Sequence, residues 1–401
     1  MKHTTLRIID WTLAVVLLLG LWHYNHSVVI TVIAAVVFMI AMSNHKKNLR
    51  MNGNYLYNLF ALKENNNRIY AFDYLRVLAV VFVILTHAIK LDLADGLIVD
   101  ANRAQIFSCF QVFFLSCNLI YVMLSGALLM PYREESLGHF FKRRFARVLI
   151  PMIIYYAFYM WITREIVEFS WGALWTVCVN FLIGNIPKLP HFGMIYIIVC
   201  TYLMIPFFRY MVKDMPYKTL TGLVVMIVVF SGLELILPAF TGVSLMFTFE
   251  LASWAGVTLI GYWLTRPETK KYYRNLIVLG LAAVAVMVWM VYNRDDYITL
   301  TTNISPIMEC ISMGIFALFM MGKNLLNHAG WLVRIVSKYS YSMILVHWWA
   351  LLWITRGILG IQVDSYYGVG VVFSLIVTIA VSLVVAFVVD HMVVDAFTQS
   401  K

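Results

Sequence analysis

Apolar residues fall in long runs broken by short polar connectors, at about 9–24, 27–43, 73–91, 106–130, 147–163, 193–208, 219–238, 246–264, 275–292, 304–322, 339–356 and 367–389. A helix rising about 1.5 Å per residue needs roughly 20 apolar residues to cross a hydrocarbon core of about 30 Å. Most of these runs reach or approach that length. The pattern predicts an all-α polytopic membrane protein. It divides into a two-helix N-terminal transmembrane hairpin over 1–45, a polar, basic cytoplasmic linker over 46–68 and a ten-helix membrane domain over 69–401. The stretch 171–184 is apolar but short, and Gly184 and the Pro187/Pro190 pair flank it. It is expected to be re-entrant or interfacial, lying between two helices on the same side.

The informative positions are the polar ones inside these runs. Arg76 and His87 stand eleven residues apart in the third run. At about 100° per residue that is roughly three turns, so both lie on one face, about 16 Å apart along the axis. Ionisable groups at membrane depth are costly and face a bundle interior or a wet cavity, which makes them functional candidates. Taken singly, the His also fits an interhelical hydrogen-bonder and the Arg a side chain snorkelling to phosphates. The same-face pairing favours the functional reading.

Composition narrows the class. The 401 residues are 62% hydrophobic and 12% charged, against about 25% charged in soluble domains. No hydrophilic stretch is long enough for a separate soluble domain, so chemistry falls to the helices and their loops. A net charge of +10 would suit nucleic acid if it formed one patch, but the basic residues are spread over alternate loops. With the N-terminus in the cytoplasm, all of the 30 basic residues fall in cytoplasmic segments except Arg76, Lys90, Arg103, Arg164, Lys188, Arg294 and Arg356. Asp92, Asp95, Asp100, Asp295 and Asp296 fall outside. The positive-inside rule is obeyed, and both termini are expected in the cytoplasm. Cys109, Cys117, Cys178, Cys200 and Cys310 lie in apolar segments without metal-ligand spacing, so they are expected to be buried small hydrophobes; no metal site is indicated. The first apolar run shows no small-residue cleavage site and is expected to be a retained helix.

Further candidates lie on other runs. Arg144 and Arg147, in Lys142-Arg143-Arg144-Phe145-Ala146-Arg147, are three apart and so neighbours on a helix face. Two such guanidiniums suit a diphosphate, each binding phosphate oxygens bidentately, although loops on the cytoplasmic side are commonly basic for topological reasons alone. His191, Glu234, Glu250, Glu309 and His347 fall in the outer half. Glu309, inside Ile307–Ile311, is expensive there unless paired, protonated or facing water. Each could be structural, but together they indicate a polar cavity open to the outside, within reach of His87.

These residues also carry a resemblance. Phe72-Asp73-Tyr74-Leu75-Arg76, ten residues, then His87 resembles the signature helix of the membrane-bound acyltransferase-3 family, the O-acyltransferases of bacterial surface sugars. Phe113-Phe114 through Leu124-Ser125-Gly126 resembles its second helix. Phe141 to Arg147, with Pro151 beyond, resembles its basic R-x-x-R entrance. Ser340-Tyr341-Ser342 through His347 resembles its late Ser-Tyr…His helix. The ordered likeness covers about 69–392. Two departures stand out: His191-Phe192-Gly193-Met194 lacks the family's aromatic pair after that histidine, and the hairpin at 1–45 is an addition.

The resemblance implies an integral O-acyltransferase of the bacterial cytoplasmic membrane, transferring groups other than aminoacyl groups. It would move an acyl group, with acetyl expected, from cytoplasmic acyl-CoA to a hydroxyl of a surface or lipid-linked glycan. Arg76, Arg144 and Arg147 would hold the anionic part of coenzyme A. His87 would serve as general base or carry the acyl group briefly, with Glu309 or His347 orienting it, and His191 and Glu234 would lie on the acceptor side. Acetyl-CoA is a substrate in this scheme, and no permanently bound cofactor, metal or nucleic acid is expected. A second class stays open: a proton-coupled transporter or flippase of a lipid-linked sugar, using the same His and Glu groups. Against it stand the absence of an inverted repeat and the intracellular arginines. A non-catalytic membrane scaffold would leave the Arg–His pairing without a use.

Overall fold

The computed structural model describes residues 68–163, 170–186, 189–243, 245–301, 304–326, 328–365 and 368–394, with parts of 11–19 and 31–41. Among these residues the chain is all helical, with no strand. Among the described residues seven helical segments are long and apolar enough to cross a membrane, and the protein is a multi-pass membrane protein. The linker up to Asn67 and most of the expected N-terminal hairpin lie outside the described residues. What is described of 11–19 and 31–41 is helical.

In chain order the elements are α1 (Tyr70–Ala94), α2 (Ala101–Phe114), α3 (Ser116–Leu129), α4 (Leu137–Ile162), α5 (Trp171–Ile183), α6 (Phe192–Val212), α7 (Tyr217–Thr241), α8 (Trp254–Thr265), α9 (Tyr273–Asn293), α10 (Tyr297–Thr301), α11 (Pro306–Met321), α12 (Trp331–Trp349) and α13 (Gly370–Val389). Local chemistry sets several boundaries. Asp100 caps α2 by accepting from the Arg103 N–H at 2.8 Å. Ser305 caps α11 by accepting from Met308 N–H, with Pro306 in the first turn, where its missing N–H leaves no bond unmade. Gly184, at φ 72°, ends α5 in the left-handed conformation that only glycine adopts without strain.

Three sequence expectations are refined. The basic cluster lies inside α4, which starts at Leu137 and runs through Pro151; an apolar window missed that charged first half. The run at 246–264 is helical only from Trp254, and the stretch before it is a loop. Cys178 and Cys200 are exposed, not buried, since their helix faces turn outward; Cys117 and Cys310 are buried as expected. The short stretch at 171–184 is α5, a helix of 13 residues with no buried side chain. At about 1.5 Å per residue it is too short to span.

Contacts divide the chain into two compact units. One comprises 64–140 and 194–383, the other 1–63, 141–193 and 384–401. In the larger unit, glycines let helices meet backbone to backbone. A methyl group on Gly126 of α3 would overlap the Thr258 carbonyl of α8, and one on Gly261 of α8 would overlap the Met123 carbonyl. Between α9 and α11, a Cβ on Gly280 would stand 3.1 Å from Gly314 Cα. Without a hydrophobic drive between helices in lipid, such close van der Waals contact is a main source of cohesion. In the smaller unit, Val393 packs with Phe38, Ile154 and Val388, and the Tyr156 hydroxyl donates to the Val177 carbonyl at 3.2 Å.

Candidate functional site

Helix α1 carries chemistry at both ends, and α12 meets it at both. Toward the Ala94 end, Phe82 packs on Phe113 and Phe114 with ring centroids 5.5 and 4.9 Å away. Thr86 Oγ1 donates to the Gln111 carbonyl at 3.0 Å. These contacts set the rotation of α1 and turn His87 toward α12. There His347, fully buried, brings its Nε2 to 3.3 Å from His87 Nδ1. The Trp348 ring packs edge-on against His87 at 5.3 Å. Directly after, residues Ala350–Ile358 form a wide π-type turn, a distortion frequent at functional sites.

The hydrogen bonds assign the tautomers. His87 Nδ1 lies 2.7 Å from the Val83 carbonyl, and His347 Nδ1 lies 2.7 Å from the Ile344 carbonyl. A carbonyl only accepts, so each Nδ1 carries the proton. His347 Nε2 is then a lone pair, and it accepts a second, longer share of the His87 Nδ1–H. His87 Nε2 is left unprotonated, and no described residue hydrogen-bonds it. A base with its lone pair free and its opposite nitrogen anchored is the arrangement general-base chemistry requires.

At the Tyr70 end, the carboxylate of Asp73, 2% exposed, gathers three partners. Arg68 donates to it twice, Nε at 2.7 Å and Nη2 at 2.9 Å. Ser337 of α12 donates at 2.6 Å, and Arg76 Nη1 stands at 3.5 Å. Its hydrogen bonds to Asp73, opposed by partial burial, raise the pKa of Arg68. Sequence reasoning passed over Asp73, Arg68 and Ser337. The i,i+3 spacing of Asp73 and Arg76 was a usable signal for the first; nothing in the sequence points to Ser337.

The other candidates of the larger unit, Glu309, Glu234 and Glu250, bond to partners other than the imidazole pair. Glu309 on α11 is fully buried, and its Oε2 accepts from Ser231 Oγ of α7 at 2.8 Å. No contact joins it to His87, so of the two candidate orienters the structure brings only His347 to that ring. Glu234 on α7 accepts the backbone N–H of Phe249 and so anchors the loop before α8. Glu250, in that loop, is exposed and accepts from Thr248 Oγ1 at 3.4 Å. Arg144 and Arg147 lie on α4 in the smaller unit, the former half-buried and the latter exposed. His191 is in the same unit, 4% exposed, its ring 5.4 Å from that of Tyr159 and 4.9 Å from that of Phe192. Among the described residues no group of His, Cys, Asp or Glu is arranged to hold a metal ion.

In the last turn of α1, Asp92 is 1% exposed. It accepts from the Val363 N–H and lies 3.1 Å from Arg356 Nε, which also reaches Asp95 at 2.6 Å through Nη2. This ion cluster ties the α12–α13 connection to the helix that carries His87.

The membrane helix α1 thus carries an imidazole that meets the buried His347 toward one end and, at the other, a carboxylate on which an arginine pair clusters. The model of the acyltransferase-3 family, described as an acyltransferase domain, matches residues 69–389, and the chain belongs to that family. It is a membrane acyltransferase. No curated protein and no solved structure matches the chain.

Proposed function

We propose that the protein transfers an acyl group, acetyl in the first instance, from acyl-CoA to a hydroxyl of a surface or lipid-linked glycan. It would do so in the bacterial cytoplasmic membrane, with both chain ends in the cytoplasm. The arginine end of α1 then faces the cytoplasmic donor, and the histidine end faces the acceptor. Arg76 binds the anionic portion of coenzyme A, where a planar guanidinium pairs bidentately with phosphate oxygens; Arg144 and Arg147, neighbours on α4, offer the same chemistry in the smaller unit. Glu234, in the larger unit, is assigned to the acceptor side, and His191 is given the same role within the smaller unit.

His87 Nε2 takes the proton of the acceptor hydroxyl as its oxygen attacks the thioester carbonyl. The tetrahedral intermediate collapses, the C–S bond breaks, and the imidazolium returns that proton to the departing thiolate. Ester and free CoA are the products, and His87 ends neutral as it began. His347 acts as a positioning residue, holding the Nδ1–H tautomer that keeps Nε2 available. Glu309, bonded to Ser231 instead, has no step in this scheme.

The observation that carries the proposal is the free Nε2 of a ring whose Nδ1 is held by both Val83 and His347. The test is His87→Ala in purified protein. Loss of a general base is expected to lower turnover by about 10²–10⁴-fold. The mass of surface glycans from cells carrying the variant should fall by one acetyl group per modified unit. A folded variant that acylates at the normal rate removes the mechanism. Wild-type protein that neither hydrolyses acetyl-CoA slowly nor is thermally protected by CoA would point instead to the transporter class.

A further inference from the structure

The carboxylate of Asp73 is surrounded unevenly. Its three short hydrogen bonds, from Arg68 Nε at 2.7 Å, Arg68 Nη2 at 2.9 Å and Ser337 Oγ at 2.6 Å, occupy most of its acceptor capacity. Arg76 is left the long contact, Nη1 at 3.5 Å. The Arg76 side chain is 31% exposed, and its other guanidinium donors meet no described residue. Arg76 is thus aimed by a carboxylate that does not saturate it. Two guanidiniums sharing one carboxylate also leave the cluster with net positive charge.

We infer that Asp73 and Ser337 are positioning residues of the donor site, presenting the Arg76 guanidinium to a phosphate group of the acyl-CoA. The inference rests on the acyl-CoA reading above. Asp73 and Arg76 are i,i+3 neighbours on α1, so the carboxylate limits the rotamers of Arg76. Ser337 comes from α12, the helix that also supplies His347 to His87. One helix pair therefore sets both the anion grip and the base. A phosphate meeting Arg76 need not displace Asp73, because Arg68 and Ser337 retain it.

Two other roles for Asp73 predict different results. As a mere charge neutraliser, its removal would strengthen donor binding. As a plain bolt between α1 and α12, its removal would act whether or not Arg76 is present. The test uses the full chain in lipid nanodiscs, with CoA affinity measured by calorimetry and turnover by slow hydrolysis of acetyl-CoA. Asp73→Asn is expected to weaken CoA binding about tenfold, near the low end of what a hydrogen bond involving a charged group contributes, and Ser337→Ala, which acts on Arg76 only through Asp73, about threefold. Turnover at saturating acetyl-CoA should stay within about twofold of wild type, so the KM carries the effect. On an Arg76→Ala background, Asp73→Asn should add nothing, since residues acting through one another are not additive.

Unchanged or tighter CoA binding in both variants overturns the inference, as does a full additional loss on the Arg76→Ala background. Wild-type protein that does not bind CoA overturns the donor reading and this inference with it. Wild-type binding with unaffected variants overturns the inference alone. Should Asp73→Asn fail to give monodisperse protein, Ser337→Ala, which removes a single hydrogen bond, decides on the same criteria.

Discussion

Replacing His347 separates the orienting of His87 from the proton transfer itself. His87 Nδ1–H has two acceptors, the Val83 carbonyl at 2.7 Å and His347 Nε2 at 3.3 Å. His347→Ala removes only the longer arm, so the Val83 bond still holds the Nδ1–H tautomer while the ring gains freedom. A neutral hydrogen bond of that length contributes about 1 kcal/mol, roughly fivefold in rate. We expect kcat to fall about five- to tenfold, with the acetyl-CoA KM unchanged. His347→Gln offers an amide oxygen to the same Nδ1–H and should restore most of the rate. Single-turnover acyl transfer by wild type and both variants, beside His87→Ala, reads this directly. If His347→Ala is as damaging as His87→Ala, or if glutamine rescues nothing, His347 handles a substrate proton itself and the positioning role is refuted.

Three further outcomes follow from contacts elsewhere. Glu309→Gln keeps an oxygen for Ser231 Oγ to donate to and should leave turnover within about threefold and melting nearly unchanged, since the net worth of such a bond is about 1 kcal/mol; a hundredfold loss of turnover would give Glu309 a proton to carry. Gly261→Leu drives a side chain into the Met123 backbone of α3 and should destabilise the purified protein by about 3 kcal/mol or more, read as a lower melting temperature; normal melting would show that the two helices separate without penalty. Arg356→Ala strips the cation from the buried Asp92 carboxylate. Leaving that charge unpaired is expected to lower stability by about 3 kcal/mol in a thermal melt, whereas the exposed Asp95 arm contributes little.

Much of the architecture was legible because lipid imposes one-dimensional rules. A spanning helix must be apolar for about 20 residues, so α1, α7, α9, α11 and α13 stand out in the sequence within a few residues of their observed ends. The rule misleads where an apolar residue is not in a helix, as in the loop before Trp254, and where a helix begins in charged residues, as α4 does at Leu137. It also ignores which way a face turns, so it could not separate exposed Cys178 and Cys200 from buried Cys117 and Cys310.

By itself, then, the sequence determined the helical membrane class, the family motifs, and the placing of Arg76 and His87 on one face of one helix, because each is a property of a single segment. The tertiary structure alone decided the partners: His347 for His87, 260 residues away, Ser337 for Asp73, 264 residues away, and Ser231 for Glu309, 78 residues away. Those pairings depend on how helices slide and rotate against one another. That register is settled by glycine contacts and aromatic packing between segments, which no periodicity within one segment encodes.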